Sequence, residues 1–133
     1  MKLSQLSETA LIAGLLGTRK VGRHVVVGPG DDCAAIRVSG HRELLLLKAD
    51  SVVAGVHFDE TLAPAKAGRK ALCRALSDIA AMGGRPAEAL VSVFSPPDAP
   101  VRFWQAFYHG LLAAAEEFGV EIVGGEMSSA PVR

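Results

Sequence analysis

Two long amphipathic helix patterns, separated by one short apolar run, most constrain the fold of this 133-residue chain. Apolar residues recur at helical spacing from Pro64 to Met82, and two glycines follow. The second pattern predicts a helix that ends at Gly119, with a buried stripe made of Trp104, Tyr108, Leu111, Ala115 and Phe118. Because an amphipathic helix must bury its apolar face, both helices need a second layer of structure.

Short apolar runs supply the candidate strands, and a further helix is predicted over residues 4–16. Turns are expected at 28–32 and 39–42, and at 95–100, where Asp98 is the predicted helix N-cap. The unbroken run of leucines at 44–47 predicts a central strand covered on both faces. The predicted strands are Val25–Val27, Cys33–Val38, Glu43–Val53, Pro86–Phe94 and Val120–Val123.

The order of these elements predicts an α/β or α+β fold, in which helices cover one face of a small mixed sheet. Three helices cannot easily cover both faces of that sheet. The second face is therefore expected to pair with another copy of the chain through the strands near Cys33–Val38 and Glu43–Val53, which predicts a homodimer with an isologous interface.

Charge and hydropathy exclude several classes of function. Fourteen basic and fourteen acidic residues give a net charge of zero, so no broad nucleic-acid or membrane-binding surface is expected. The longest apolar runs fall far short of the roughly 20 residues that span a bilayer, and no secretory signal is evident, so we expect a cytoplasmic protein. Cys33 and Cys73 are isolated, which predicts buried thiols rather than a disulfide framework or a zinc site.

Acidic residues recur where the apolar elements begin or end, several of them beside glycines: Asp31, Asp50, Asp78 and Glu126. Carboxylates are the hard oxygen ligands that Mg²⁺ prefers, and open glycine N–H groups can bind phosphate. Structural alternatives stand beside this interpretation. Asp31 could cap a turn, Asp50 could simply end a strand, and Asp78 could pair with Arg74 on a solvated helix face.

Five sequence strings occur in the order seen in thiamine-monophosphate kinases: GDDCA at 30–34, Asp50 with VAGVHF at 53–58, GRKAL at 68–72, LSDIAAMGGRP at 76–86 and IVGGE at 122–126. Over nearly its whole length the chain resembles the N-terminal domain of that family, with residues 1–133 as one domain. The family's second, C-terminal domain is expected to be absent from these residues. A more distant resemblance extends to the superfamily of aminoimidazole ribonucleotide synthetase, selenophosphate synthetase and a hydrogenase-maturation protein.

The resemblance implies that ATP phosphorylates thiamine monophosphate to thiamine diphosphate with Mg²⁺ bound, in a dimer whose paired sheets close a barrel. No protein nucleophile is implied, so no catalytic residue is assigned. His57 matches a substrate-contacting position, although a loop histidine with an ordinary hydrogen bond is equally consistent. Nucleotide contacts match Tyr108, Gly125 and Glu126, although helical spacing alone makes Tyr108 a core residue. Metal ligands match Asp31, Ala49 through its carbonyl, Asp50, Asp78 and Glu126.

The chain departs from the family at three places. Ala49 replaces a threonine, Ala75 replaces an asparagine, and Glu126 with Met127 replaces an Asp-Thr pair. Two alternatives to the kinase therefore stay open. The chain could be a non-catalytic dimerisation or nucleotide-binding module, or part of another ATP-dependent enzyme of the superfamily that acts on a different acceptor.

Overall fold

The structure, a computed structural model, describes residues 5, 7–17 and 20–130, which divide into units at Met1–Leu47 and Lys48–Arg133. No helix in these described residues is long and apolar enough to cross a membrane. The helices are α1 (Glu8–Leu16), α2 (Pro64–Ala81) and α3 (Val101–Phe118), and the strands are β1 (Val25–Val27), β2 (Ala34–Arg37), β3 (Leu44–Leu47), β4 (Glu88–Ser95) and β5 (Glu121–Ser129).

The first unit contains an antiparallel sheet in the order β1–β2–β3. Pairing runs from Ala34 opposite Leu47 to Arg37 opposite Leu44, so β2 is the central strand and β3 lies at an edge. Leu45 and Leu47 are each nearly half exposed. The prediction that the leucine run forms a central, doubly covered strand is therefore wrong, because an apolar run does not specify which strands flank it.

Helix α1 begins later than predicted, at Glu8, where the Ser7 hydroxyl accepts a hydrogen bond from the Ala10 N–H at 3.2 Å. It contains no buried residue, so its apolar stripe is not part of a core. Leu3 and Leu6, which the prediction placed on that stripe, lie outside the described residues.

The second unit is built on β4 and β5, which pair in parallel and are connected by α3. Ala89, Val91 and Ile122 pack against the helices, and the opposite face exposes Leu90, Phe94 and Val123. Helices therefore cover one face of this sheet, as predicted. The expectation of one mixed sheet is wrong for the described residues, because hairpin-connected strands form one ladder and the crossover strands form another. The core residues are Ala67, Leu72, Phe107, Leu111, Ala114, Ala115 and Val120.

Helices α2 and α3 approach each other closely at two glycines. A Cβ atom added to Gly68 would lie 1.9 Å from the Phe107 carbonyl oxygen, and one added to Gly110 would lie 1.9 Å from the Ala65 carbonyl oxygen. At the surface, the Arg69 guanidinium donates to both carboxylate oxygens of Glu117, at 2.5 and 3.0 Å. The two helices therefore meet backbone against backbone, and a bidentate ion pair links them.

Several local predictions need correction. The N-cap of α3 is Pro100, without a side-chain hydrogen bond, so Asp98 does not cap the helix. Gly119 ends α3 in the left-handed conformation, as predicted, but Phe118 is 44% exposed and Phe107 is the buried aromatic residue. Strand β5 extends beyond Val123 to Ser129, so the Gly-Gly-Glu segment lies within a strand rather than after it. Cys33 is buried as predicted, and Cys73 is only partly buried.

We expect Gly68→Ala to destabilise the second unit by about 1–3 kcal/mol, because the added methyl group meets a helix backbone that cannot move aside. Urea unfolding followed by the fluorescence of Trp104, the chain's single tryptophan, measures the effect in this unit. Gly14→Ala is the matched control, since a Cβ there has no neighbour within 4 Å. An unchanged midpoint for Gly68→Ala would contradict the close approach.

Candidate functional site

Two oppositely charged pairs join the segment after β3 to α2 within the second unit. The Arg74 Nε donates to the Asp50 Oδ2 at 3.2 Å, and the Lys48 ammonium forms an ion pair with the Asp78 carboxylate. The Asp50 and Asp78 side chains retain 17% and 25% of their exposure. Two of the predicted carboxylates are thus held close to basic side chains in a partly desolvated region.

The environment of Asp50 favours its ionised form. Partial burial raises the pKa of this carboxyl, but hydrogen bonds from Arg74 and from the Ser51 N–H, at 2.7 Å, lower it. The positive charges of Arg74 and Lys48 lower it further, so the pKa of Asp50 lies below its ordinary value of 3.8. Lys48 therefore acts electrostatically on Asp50 while it pairs directly with Asp78.

His57 lies in a compact loop that precedes α2. The Val53 N–H donates to its Nδ1 at 3.0 Å, which assigns the ring proton of the neutral side chain to Nε2. The His57 N–H in turn donates to the Val53 carbonyl at 2.8 Å, and the Lys70 ammonium donates to the His57 carbonyl. The loop thus fixes the position and tautomer of the predicted substrate-contacting residue.

Asp31 lies in the turn before β2, within the first unit. Its Oδ1 accepts from the Asp32 N–H at 2.9 Å, and the preceding Gly30 has a φ of 117°, which favours glycine. Asp31 and Asp32 line a groove of about 730 Å³, together with Ile12 and Leu16 of α1. The structural alternative of a turn-capping aspartate is therefore realised at Asp31, beside an open groove.

The predicted nucleotide-contacting residues lie on β5 and α3. Glu126 is exposed and its Oε1 accepts from the Ser128 hydroxyl at 3.0 Å. Gly125 has a φ of 146°, and a Cβ there would lie 1.9 Å from the Val91 carbonyl oxygen, so strand pairing requires glycine. Tyr108 is half-buried against the core, 6.0 Å from the Phe107 ring. The structure therefore gives Gly125 and Tyr108 structural roles, and their nucleotide contacts stay predictions.

The predicted metal ligands are divided between the two units, with Asp31 in the first and the others in the second. Among the described residues, no group of three or more His, Cys, Asp and Glu side chains is arranged to hold a metal ion. Asp50, Asp78 and Glu126 share the second unit without forming such a group. The donor chemistry nevertheless fits Mg²⁺, because Asp50 and Asp78 offer carboxylate oxygens that already attract cationic groups. Their assignment as ligands, with Asp31 and the exposed Ala49, stays a prediction.

The partners of three basic residues in this region differ from, or were absent from, those predicted from the sequence. Arg74 pairs with Asp50 rather than with Asp78, Lys48 is the partner of Asp78, and Lys70 anchors the His57 loop. Helical spacing suggested only the local pair between Arg74 and Asp78. A lysine two residues before a strand-end aspartate was the available signal for a second basic partner.

Comparison with known proteins relates the chain to one family. The family described as AIR synthase related protein, N-terminal domain, matches residues 30–133. Thiamine-monophosphate kinase of Aquifex aeolicus is 36% identical over 128 residues, which cover 96% of this chain and 40% of that protein. The Corynebacterium glutamicum kinase is 36% identical over 101 residues, covering 75% and 30%.

A solved structure of AaThiL complexed with AMPPCP and TMP is 35% identical and superimposes with a TM-score of 0.85, over 98% of this chain and 40% of that one. The chain therefore spans between 30% and 40% of the length of these three relatives.

We expect Asp50→Asn to lower the free energy of unfolding by about 0.5–1 kcal/mol at pH 7, because it removes a partly buried ion pair. Since the folded-state pKa is depressed, this stabilisation is present above pH 3.8 and is lost as pH falls through the folded value. Urea unfolding at pH 7 and pH 3 tests this expectation, with the exposed Asp98→Asn as control. If Asp50→Asn lowers the free energy of unfolding as much at pH 3 as at pH 7, the ion pair is not the cause of the effect.

Proposed function

Because the chain belongs to the family described as AIR synthase related protein, N-terminal domain, we propose that it supplies the N-terminal half of a thiamine-monophosphate kinase. The observation that carries the proposal is the match of 98% of the chain, at a TM-score of 0.85, to a relative complexed with AMPPCP and TMP. In the proposed reaction, the γ-phosphoryl group of ATP is transferred to the phosphate of thiamine monophosphate. The products are ADP and thiamine diphosphate.

The proposal assigns Mg²⁺ to Asp31, Asp50, Asp78 and Glu126, with the carbonyl of Ala49 as a further oxygen ligand. Bound Mg²⁺ neutralises phosphate charge and orients the phosphate groups for transfer. Asp50 contributes an ionised carboxylate, as its lowered pKa supports, and hydrogen bonds from Arg74 and Ser51 hold its two oxygens in place. Phosphoryl transfer needs positioning and charge neutralisation more than covalent chemistry, so no residue of this chain is assigned as a nucleophile.

The substrate and nucleotide contacts are assigned to residues that the fold holds firmly. His57 is proposed to contact thiamine monophosphate, and the hydrogen bonds of its loop support a fixed ring orientation. Tyr108, Gly125 and Glu126 are proposed to contact ATP. Tyr108 is half-buried, and Glu126 is an exposed residue of β5. The cytoplasmic location expected from the sequence stays a prediction.

A second candidate function is a non-catalytic module that keeps the fold and nucleotide affinity. The ion pairs favour it, because Lys48 and Arg74 hold two of the carboxylates that a kinase would use for metal. Ala49 and Ala75 favour it as well, since neither offers a side-chain oxygen. Metal binding and turnover distinguish the two candidates.

We also propose that the chain forms a homodimer, and that the exposed apolar face of β4 and β5 adds to the interface predicted at Cys33–Val38 and Glu43–Val53. Leu90 and Phe94 of β4 are 74% and 68% exposed, and Val123 of β5 is 56% exposed. Large apolar side chains on one sheet face are typical of surfaces that another protein covers. A second copy carries the same apolar face, and an isologous interface would cover both at once.

For the 133-residue chain, we expect weak binding of Mg²⁺ and AMPPCP and little or no formation of thiamine diphosphate. Stabilisation of the transition state needs ligands on both sides of the transferred group, and this chain would supply one side. Calorimetry with Mg²⁺ and AMPPCP, beside an assay for thiamine diphosphate, measures both quantities. Asp50→Asn and Asp78→Asn should weaken binding, and Asp98→Asn should not.

The outcomes separate the candidates. Substantial turnover would show that the rest of the kinase is dispensable. Absent metal binding, or metal binding unchanged by both substitutions, would favour the non-catalytic module.

We expect Phe94→Lys to convert the dimer to a monomer, because a charged side chain cannot be buried unpaired in an apolar interface. Light scattering coupled to gel filtration measures the mass, and the Trp104 unfolding midpoint checks the fold. Val101→Lys is the control, since Val101 is 71% exposed at the start of α3. A wild-type chain that is monomeric at high concentration would rule out the dimer.

A further inference from the structure

We propose that Lys48 and Arg74 are tethered counter-ions, so that a divalent cation binds Asp78 and Asp50 of this chain only by displacing them. The inference deepens the proposed function and rests on its assignment of these two carboxylates to metal. It concerns basic residues that neither the family relation nor the proposed reaction assigns to a role.

Lys48 forms an ion pair with one of the two acids, Asp78, and precedes the other, Asp50, by two residues. Its ammonium group thus holds a positive charge at a carboxylate that the proposed function assigns to metal. The side chain retains only 21% of its exposure, so water screens these interactions incompletely. The Asp78 carboxylate thus already has a positively charged partner, as the Asp50 carboxylate has in Arg74.

Arg74 lies one helical turn before Asp78 on α2 and is the basic partner of Asp50. Its Nε donates to Asp50 Oδ2, while Oδ1 of the same carboxylate accepts from the Ser51 N–H. Both oxygens of Asp50 are therefore engaged by the protein. Because Arg74 also belongs to α2, which the close contact with α3 fixes, the guanidinium is held near its acceptor.

A metal ion and these basic groups compete for the same oxygens. A carboxylate has enough lone pairs for several hydrogen bonds, but a divalent ion and an ammonium group on one carboxylate repel each other strongly in a partly desolvated site. Mg²⁺ also demands a near-octahedral arrangement of oxygens at about 2.1 Å, which leaves little room for a second cation. Metal binding therefore requires the Lys48 side chain to leave Asp78.

Titration of the chain with Mn²⁺, followed by electron paramagnetic resonance of the free ion, tests the proposal without an activity assay. Lys48→Met keeps the length of the side chain and removes its charge, and we expect it to bind Mn²⁺ roughly fivefold more tightly. Arg74→Met should change the affinity in the same direction. Lys48→Arg, which keeps the charge, should bind Mn²⁺ like the wild type.

Two controls isolate the local effect. Lys66→Met on α2 makes the same change in net charge at an exposed lysine and should leave Mn²⁺ affinity unchanged. Asp78→Asn added to Lys48→Met should abolish the gain. As a second measurement, Mn²⁺ should raise the Trp104 unfolding temperature of Lys48→Met more than that of the wild type, because the metal replaces the missing counter-ion.

The results distinguish this inference from the proposed function. Tighter binding by Lys48→Met or Arg74→Met, removed by the matching aspartate substitution, supports the inference. Equal or weaker binding by both variants, beside a wild type that binds Mn²⁺, overturns the inference alone. Failure of every variant and of the wild type to bind Mn²⁺ overturns the inference together with the metal assignment of the proposed function.

Discussion

The architecture of the second unit depends on how closely α2 and α3 can approach each other. Gly68 and Gly110 bring backbone against backbone, and a Cβ at either position would lie 1.9 Å from a carbonyl oxygen of the other helix. At this separation the small side chains of Ala67 and Ala114 are completely buried. The fixed helix pair then covers one face of β4 and β5, and it determines where the end of α2 holds Asp78.

Strands β4 and β5 also approach each other closely, and this approach explains a glycine of the Gly-Gly-Glu segment. Gly125 pairs with Val91 in the parallel ladder, where a side chain would collide with the Val91 carbonyl oxygen. The glycine is therefore required by strand pairing, whatever role it has toward a phosphate group. The segment lies inside β5, so Glu126 takes its orientation from the alternation of a strand rather than from a turn.

Local sequence patterns predicted the two long helices accurately. They did not predict which strands pair with each other. Helix α2 begins at Pro64 as predicted and ends one residue before Met82, and Gly119 closes α3, because periodicity and end signals act within a few residues. The position of β3 in its sheet depends on strands elsewhere in the chain. Its four leucines are compatible with a central or an edge strand, and the sequence did not distinguish the two.

The ion pairs of the candidate site also depend on long-range contacts that local sequence patterns do not predict. These pairs determine the charge around the Asp50 and Asp78 carboxylates. Arg74 and Asp78 are one helical turn apart, yet Arg74 contacts Asp50 and leaves Asp78 to Lys48, because contacts with the segment after β3 compete with local ones. Two acids and two bases give this group no net formal charge, as in the whole chain. A neutral group attracts a free cation only weakly over distance. In the proposed function, metal recognition at these carboxylates would therefore depend on the short-range exchange of a basic side chain for a metal ion, and the basic side chains would set the free energy of that exchange.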